Sequence, residues 1–106
     1  MTQPPGRPFR AVYSGIHRQK IRTYAARAAV RGIGPAYRAA VKAMHDHLET
    51  DPQEWGDPHN RLPHSGLILY HGVQSLLHVF YAVDPVRRLV FVRDILPMPR
   101  HGLDDA

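Results

Sequence analysis

The chain has 106 residues, no cysteine, and 14 Lys and Arg residues against 9 Asp and Glu residues, which gives a formal charge of +5. A chain of this length has room for one domain with one core, and 43% apolar residues are enough to build it. The absence of cysteine excludes a disulfide framework and any thiolate zinc site. The basic charge favours a polyanionic or acidic partner, either nucleic acid or an acidic protein segment.

Location is predicted from two absences in the sequence. The first residues lack the apolar run that a secretory signal requires. No stretch approaches the roughly 20 apolar residues of a membrane span. We therefore expect a cytoplasmic protein with no membrane partner.

The N-terminal part begins with residues 1–8, whose three prolines and one glycine predict a flexible tail. Residues 9–13 then alternate, with Phe9, Ala11 and Tyr13 on one side, which predicts a short strand. Ser14 follows as a predicted N-cap, because its hydroxyl can accept a hydrogen bond from a free backbone N–H of a helix.

Two helices are predicted next. The first runs from about Ile16 to Arg31, and the second from Pro35 to about Glu49. The glycines and proline of residues 32–35 end one helix and start the other, and so short a link predicts an antiparallel hairpin. The predicted buried faces are Ile21, Tyr24 or Ala25, and Ala28 in the first helix, and Tyr37, Val41, Met44 and Leu48 in the second.

The C-terminal half is predicted to contain a loop and three strands. Residues 50–64 have the composition of a loop, with Trp55 as its anchor against the domain. The predicted strands are Leu67–Tyr70, Leu76–Val83 and Leu89–Leu96, joined by turns at Gly72–Ser75 and Asp84–Arg88. The sequence therefore predicts an α+β domain over residues 9–97, ordered β-α-α-β-β-β with a three-stranded antiparallel sheet, and a C-terminal tail over residues 98–106.

Three stretches of sequence carry a family resemblance. The second helix closes with Leu48, followed by Asp51-Pro52 and then Gly56. Residues 78–84 form a predicted strand with aromatic residues in it and a small turn after it. Residues 88–95 form a predicted last strand that is rich in valine. Together with the order of elements, these stretches resemble the RelE/ParE toxin superfamily of bacterial type II toxin–antitoxin systems over roughly residues 9–97.

The resemblance implies a function for the open side of the sheet. The nuclease branch of this family consists of ribosome-dependent mRNA endonucleases that use no metal or other cofactor and are silenced by an acidic antitoxin protein. In such cleavage the RNA 2′-hydroxyl attacks the adjacent phosphate, which needs a base, cations for the phosphorane charge and an acid for the leaving oxygen. The candidate residues for these catalytic roles in this chain are His78, Arg93, Arg100 and His101.

Departures from the family pattern leave two alternatives open. The nuclease branch usually has an arginine where this chain has His78, and no tyrosine follows Tyr81. A ParE-like or catalytically degenerate member would bind a protein target, such as gyrase, or its antitoxin without cleaving RNA. A protein of the same fold with no toxic role is the third hypothesis.

Strand parity places two of the candidate residues. If Val79, Tyr81, Val90 and Val92 face the helices, His78 and Arg93 fall on the opposite face of the sheet. A closing pair between Val83 and Arg88 would place His78 directly across from Arg93.

The first predicted helix is strongly basic, with no acidic residue from position 15 to position 31. Its cations either form a solvated face or bind phosphates or an acidic antitoxin. The candidate binding residues are Arg18, Lys20, Arg22, Arg27 and Arg31.

The histidines do not predict a metal site. His45 and His47 are two positions apart on a helix, about 200° around it, and so cannot share an ion. His59 and His64 lie in the predicted loop without the spacing of a known metal motif.

Overall fold

The computed structural model describes residues 8–98 and residue 103. This part of the chain forms an α+β domain with a pair of long helices and a five-stranded sheet. The elements are β1 Arg10–Val12, α1 Gly15–Val30, α2 Gly34–Thr50, α3 Pro52–Trp55, β2 Asp57–Arg61, β3 Ile68–Gln74, β4 Leu77–Asp84 and β5 Leu89–Pro97.

The sheet is larger than the sequence predicted. Its strand order is β1-β5-β4-β3-β2, with β1 parallel to β5 and all other neighbours antiparallel. The predicted sheet of three antiparallel strands is therefore wrong in extent, because β1 and β2 extend it at both edges. The predicted loop over residues 50–64 contains α3 and β2; every residue of β2 is exposed, so this strand shows no alternation of apolar and polar residues.

The two long helices confirm the predicted periodicity. Ser14 caps α1, since its hydroxyl oxygen accepts a hydrogen bond from the His17 backbone N–H at 3.2 Å. The two helices are held together by Tyr37, whose hydroxyl donates to the Ile21 carbonyl at 2.8 Å. The predicted faces are buried at Tyr24, Ala28, Tyr37, Met44 and Leu48, and Val41, Ile21 and Ala25 pack against them.

The core lies between the helix pair and one face of the sheet. Helix α1 packs on β5, and α2 packs on β1, β3 and β4. Val79 and Tyr81 of β4, with Val90 and Val92 of β5, contribute to this core as the predicted parity requires. Leu103 is also fully buried in it, so the domain includes this residue as well as the strands.

A column of stacked rings crosses the core and holds α3 in place. Trp55 lies parallel to His47, with ring centroids 4.9 Å apart, and also stacks on Tyr81 at 5.7 Å. Tyr81 in turn stacks on Tyr70 at 5.5 Å and donates its hydroxyl to the Pro52 carbonyl. Trp55 is thus the predicted anchor, and its position brings the following residues alongside β3 as β2.

Gly72 and Gly56 leave the space that this column needs. A Cβ at Gly72 would lie 2.5 Å from the Trp55 ring, and one at Gly56 would collide with the Tyr81 hydroxyl. Gly72 is therefore a packing position within β3 and not the start of the turn that the sequence predicted.

No helix among the described residues is long and apolar enough to cross a membrane.

Replacing Gly56 with alanine should lower the free energy of unfolding by about 1–3 kcal/mol, because the added methyl meets a buried tyrosine ring that cannot move without breaking its stack. Thermal unfolding measures the change. Gly15→Ala is the matched control, since nothing lies within 4 Å of a Cβ there and alanine suits a helix better than glycine. Equal melting temperatures for the two variants would contradict this account of the column.

Candidate functional site

The face of the sheet that points away from the core is lined by aromatic, imidazole and aliphatic side chains. We call it the open face. Its residues are half-buried or exposed and stand outside the core cluster: Leu69, His71, Val73, His78, Phe80, Phe91 and Leu96. A basic protein that exposes rings on one sheet face has the features by which proteins hold unpaired nucleotides.

Two histidines on neighbouring strands form the centre of the open face. His71 Nε2 of β3 lies 2.8 Å from His78 Nδ1 of β4, which is a hydrogen-bond distance. The ring planes are within 13° of each other, and the centroids are 5.0 Å apart. With nitrogens this close and centroids this far apart, the rings meet edge to edge in nearly one plane. One ring donates and the other accepts, so the two imidazoles act as a pair.

Two more rings, those of Phe80 and His59, lie beside the pair. Phe80 lies parallel to His71, with centroids 4.6 Å apart and planes within 10°. His59 of β2 approaches Phe80 edge-on at 6.3 Å. Pairing of β2 with β3 therefore brings a third histidine to the open face, which the sequence placed in a loop.

The pKa of His71 is lowered from its ordinary value. Burial disfavours its charged form most, and the neighbouring His78 and His59 act in the same direction, while Asp57 opposes them. His71 therefore stays neutral to lower pH than an ordinary histidine.

The position of the pair depends on the turn between β3 and β4. Gln74 pairs with Leu77, so the turn consists of Ser75 and Leu76, and Ser75 has φ of 50°. The sequence predicted the turn at Gly72–Ser75, which is wrong because β3 continues through Gly72. That shift explains why His71 was missed as a site residue. In the observed register His71 and His78 are diagonal neighbours, within reach of each other.

Arg93 does not stand opposite His78. The predicted closing pair of Val83 with Arg88 is wrong: Val83 pairs with Val90, and His78 pairs with Leu96. A register shift between Phe80 and Tyr81 leaves Arg93 without a partner in the ladder. Arg93 is exposed on β5.

The other two predicted catalytic residues, Arg100 and His101, lie outside the described residues.

The basic residues of α1 divide into two groups. Lys20 forms an ion pair with Asp94 of β5 at 2.6 Å, which raises the pKa of Lys20 mainly through that hydrogen bond. Arg27 donates to the Leu103 carbonyl at 2.6 Å. Lys20 thus fastens α1 to β5, and Arg27 fastens it to Leu103 beyond the last strand. The exposed residues available to a polyanion are Arg18 and Arg22 in α1 and Arg31 at its C-cap.

A second polar arrangement ties β1 to α2 and was not predicted. The Tyr13 hydroxyl lies 2.8 Å from His45 Nδ1, and His45 Nε2 lies 3.2 Å from a Glu49 carboxylate oxygen. Burial, and next the Glu49 charge, raise the pKa of Tyr13 to about 12. Glu49 also accepts from the Phe9 backbone N–H through its carbonyl, at 3.0 Å. A tyrosine with so high a pKa is a weak acid and a poor nucleophile at neutral pH. We therefore interpret these hydrogen bonds as structural contacts that stabilise the fold.

His45 and His47, near the C-terminal end of α2, contact different carboxylates. His47 Nδ1 lies 2.8 Å from an Asp51 carboxylate oxygen, so each histidine has its own carboxylate one turn away. Within residues 8–98 and 103, no group of three or more His, Asp or Glu residues is arranged to hold a metal ion.

Comparison of the chain with protein-family models, curated proteins and solved structures finds no match. The resemblance to RelE/ParE toxins therefore stays a prediction.

The division of the α1 cations predicts different effects on binding and stability. Reversing Arg18 and Arg22 to glutamate should weaken binding to poly(U) and reduce the salt slope by roughly 0.7 for each phosphate that the helix no longer neutralises. Replacing Lys20 and Arg27 with alanine should lower the melting temperature instead. Salt-dependent fluorescence titrations and thermal unfolding measure the two effects.

The control for charge alone is the reversal of Arg38 and Arg87, which are exposed elsewhere. Equal weakening by both reversed pairs would mean that α1 has no special part in binding.

Proposed function

We propose that the protein is an endoribonuclease that cleaves RNA on the open face of its sheet, as the RelE-like toxin of a type II toxin–antitoxin system. The paired imidazoles of His71 and His78 carry the proposal. The helix pair on one side of a sheet with a central antiparallel strand is compatible with the proposed RelE/ParE fold. By analogy with that family, the substrate is mRNA on the ribosome and the inhibitor is an acidic antitoxin.

His78 is the proposed general base. Its Nδ1 is engaged with His71, and among the described residues its Nε2 has no hydrogen-bond partner. For Nε2 to accept the proton of the 2′-hydroxyl, His78 must carry its own proton on Nδ1 and donate it to His71 Nε2. His71 then fixes the tautomer of His78 and stabilises the His78 imidazolium that forms. A carboxylate that is hydrogen-bonded to a catalytic histidine has the same effect in other enzymes. His71 is thus a positioning residue.

Base stacking supplies the proposed binding energy. Phe80 and Phe91 are half-buried on the open face, so each can offer part of a ring to an unpaired base. Stacking of a base on an aromatic side chain contributes about 1–3 kcal/mol and tolerates any sequence. The net charge of +5 adds attraction to the phosphates.

The remaining roles belong to residues around this centre. Arg93 is the one cation of β5 and is exposed, so it is the proposed contributor of positive charge from this strand. We keep Arg100 and His101 as proposed contributors of charge and of the leaving-group proton. His59 is a second candidate acid, because it reaches the open face from β2.

Replacing His78 with asparagine should reduce cleavage by about 10²–10⁴-fold, the usual contribution of a general base. His71→Gln should reduce it less, because a glutamine oxygen can still accept from His78. His64→Asn is the control, since His64 is an exposed loop residue. Reconstituted translation with mapping of mRNA 5′ ends measures the rates. Undiminished cleavage by His78→Asn would exclude the open face as the catalytic site.

A second function is favoured by the apolar residues that flank His78. Val73 and Leu96 pair with it on either side, and they are 48% and 38% exposed. Exposed aliphatic side chains can pack against a protein partner as well as against a nucleotide base. The alternative is therefore a ParE-like member that binds gyrase or another protein. Induction in a bacterial host distinguishes them: growth arrest without new mRNA ends would favour the protein target.

A further inference from the structure

The separation of the two imidazoles on the open face is close to that of two neighbouring ligands on one metal ion. Metal–imidazole bonds are about 2.0–2.1 Å long, which places adjacent ligand nitrogens about 2.9 Å apart on a square-planar ion such as Cu²⁺ and about 3.3 Å apart on tetrahedral zinc. His71 Nε2 and His78 Nδ1 are 2.8 Å apart on adjacent strands of one hairpin. In the observed pair one of these two nitrogens carries the shared proton, so metal binding requires that ring to carry its proton on its other nitrogen instead. A rotation of each ring by roughly 40° would then aim both lone pairs at a common point.

We infer that His71 and His78 form a binding site for a divalent transition-metal ion that prefers imidazole nitrogen. Cu²⁺ should bind most tightly and Zn²⁺ less tightly, following the usual order of affinities for nitrogen ligands. The backbone hydrogen bonds of β3 and β4 hold the two residues in place, so little ordering is needed when the ion binds.

Two residues of β2 can complete the site. Asp57 stands directly opposite His71 in the strand register, and His59 reaches the open face beside Phe80. Both are exposed and can change rotamer. Since no three such residues are arranged around a common point in the described part of the chain, the histidine pair is the preformed part of the site. Water or these β2 side chains would fill the other positions.

Two other histidines also have a potential ligand nearby, and they differ from the pair. His45 and His47 each contact a carboxylate one helical turn away, at 3.2 Å and 2.8 Å. An ion there would have one imidazole and one carboxylate, which binds Cu²⁺ less well than two imidazoles do. His45 and His47 therefore provide matched controls.

Metal binding would act on the same atoms as the proposed cleavage but does not depend on it. An ion held by the pair occupies the lone pair of His71 that stabilises His78. If the ribonuclease proposal holds, Cu²⁺ or Zn²⁺ should therefore inhibit cleavage. If it fails, the metal site can still be measured by itself.

The test is titration of tag-free protein with Cu²⁺ alone, followed by electron paramagnetic resonance. One equivalent should give a spectrum with hyperfine coupling to imidazole nitrogens, and excess Zn²⁺ should displace it. His71→Asn and His78→Asn should each lose this component, while His45→Asn and His47→Asn should keep it. Retention of the component in both open-face variants, or its loss in the helix variants alone, would overturn the inference.

Nuclear magnetic resonance of the unmodified protein removes any dependence on the folding of variants. Substoichiometric Cu²⁺ should first broaden the signals of His71, His78 and Phe80. Broadening confined to α2 would assign the ion to the helix histidines and contradict the proposed site.

Discussion

The register of β3 against β4 is the constraint on which the site depends. The turn at Ser75–Leu76 sets this register and makes His71 and His78 diagonal neighbours on one face. A slip of one residue would exchange the faces of a strand, and would bury imidazoles where Val79 and Tyr81 now lie. Because those two residues are fully buried, the apolar core opposes such a slip. The packing of the core face thus fixes the positions of the two imidazoles on the open face.

Stability and proposed function are separated by the sheet. The helix pair and the ring column of Trp55, Tyr81 and Tyr70 occupy one side, while the imidazole pair and Phe80 occupy the other. The column also serves the site indirectly, since it anchors α3 and so brings β2, with Asp57 and His59, alongside β3. Substitutions on the open face can therefore alter binding without removing core packing.

The helices and the core strands could be predicted because their apolar residues repeat with clear periods. The edge strand β2 could not, because all its residues are exposed and pairing with β3 alone makes it a strand. Gly72 suggested a turn because glycine is common in turns, but glycine is needed there because a side chain would collide with Trp55. The sequence does carry a sign of the register shift at Arg93, because the apolar residues Val92 and Ile95 lie three positions apart, which breaks the alternation of a strand. His78 was found from the sequence, whereas His71 and His59 required the register.

We propose that RNA binds the open face around the imidazole pair of His71 and His78. The most direct measurement is chemical-shift mapping by nuclear magnetic resonance, with a short uncleavable oligonucleotide that carries 2′-O-methyl groups. Binding there should perturb the signals of His71, His78, Phe80 and Phe91 and leave those of α2 and of the Trp55 ring unchanged. Perturbations confined to α1, with the open face unchanged, would contradict it.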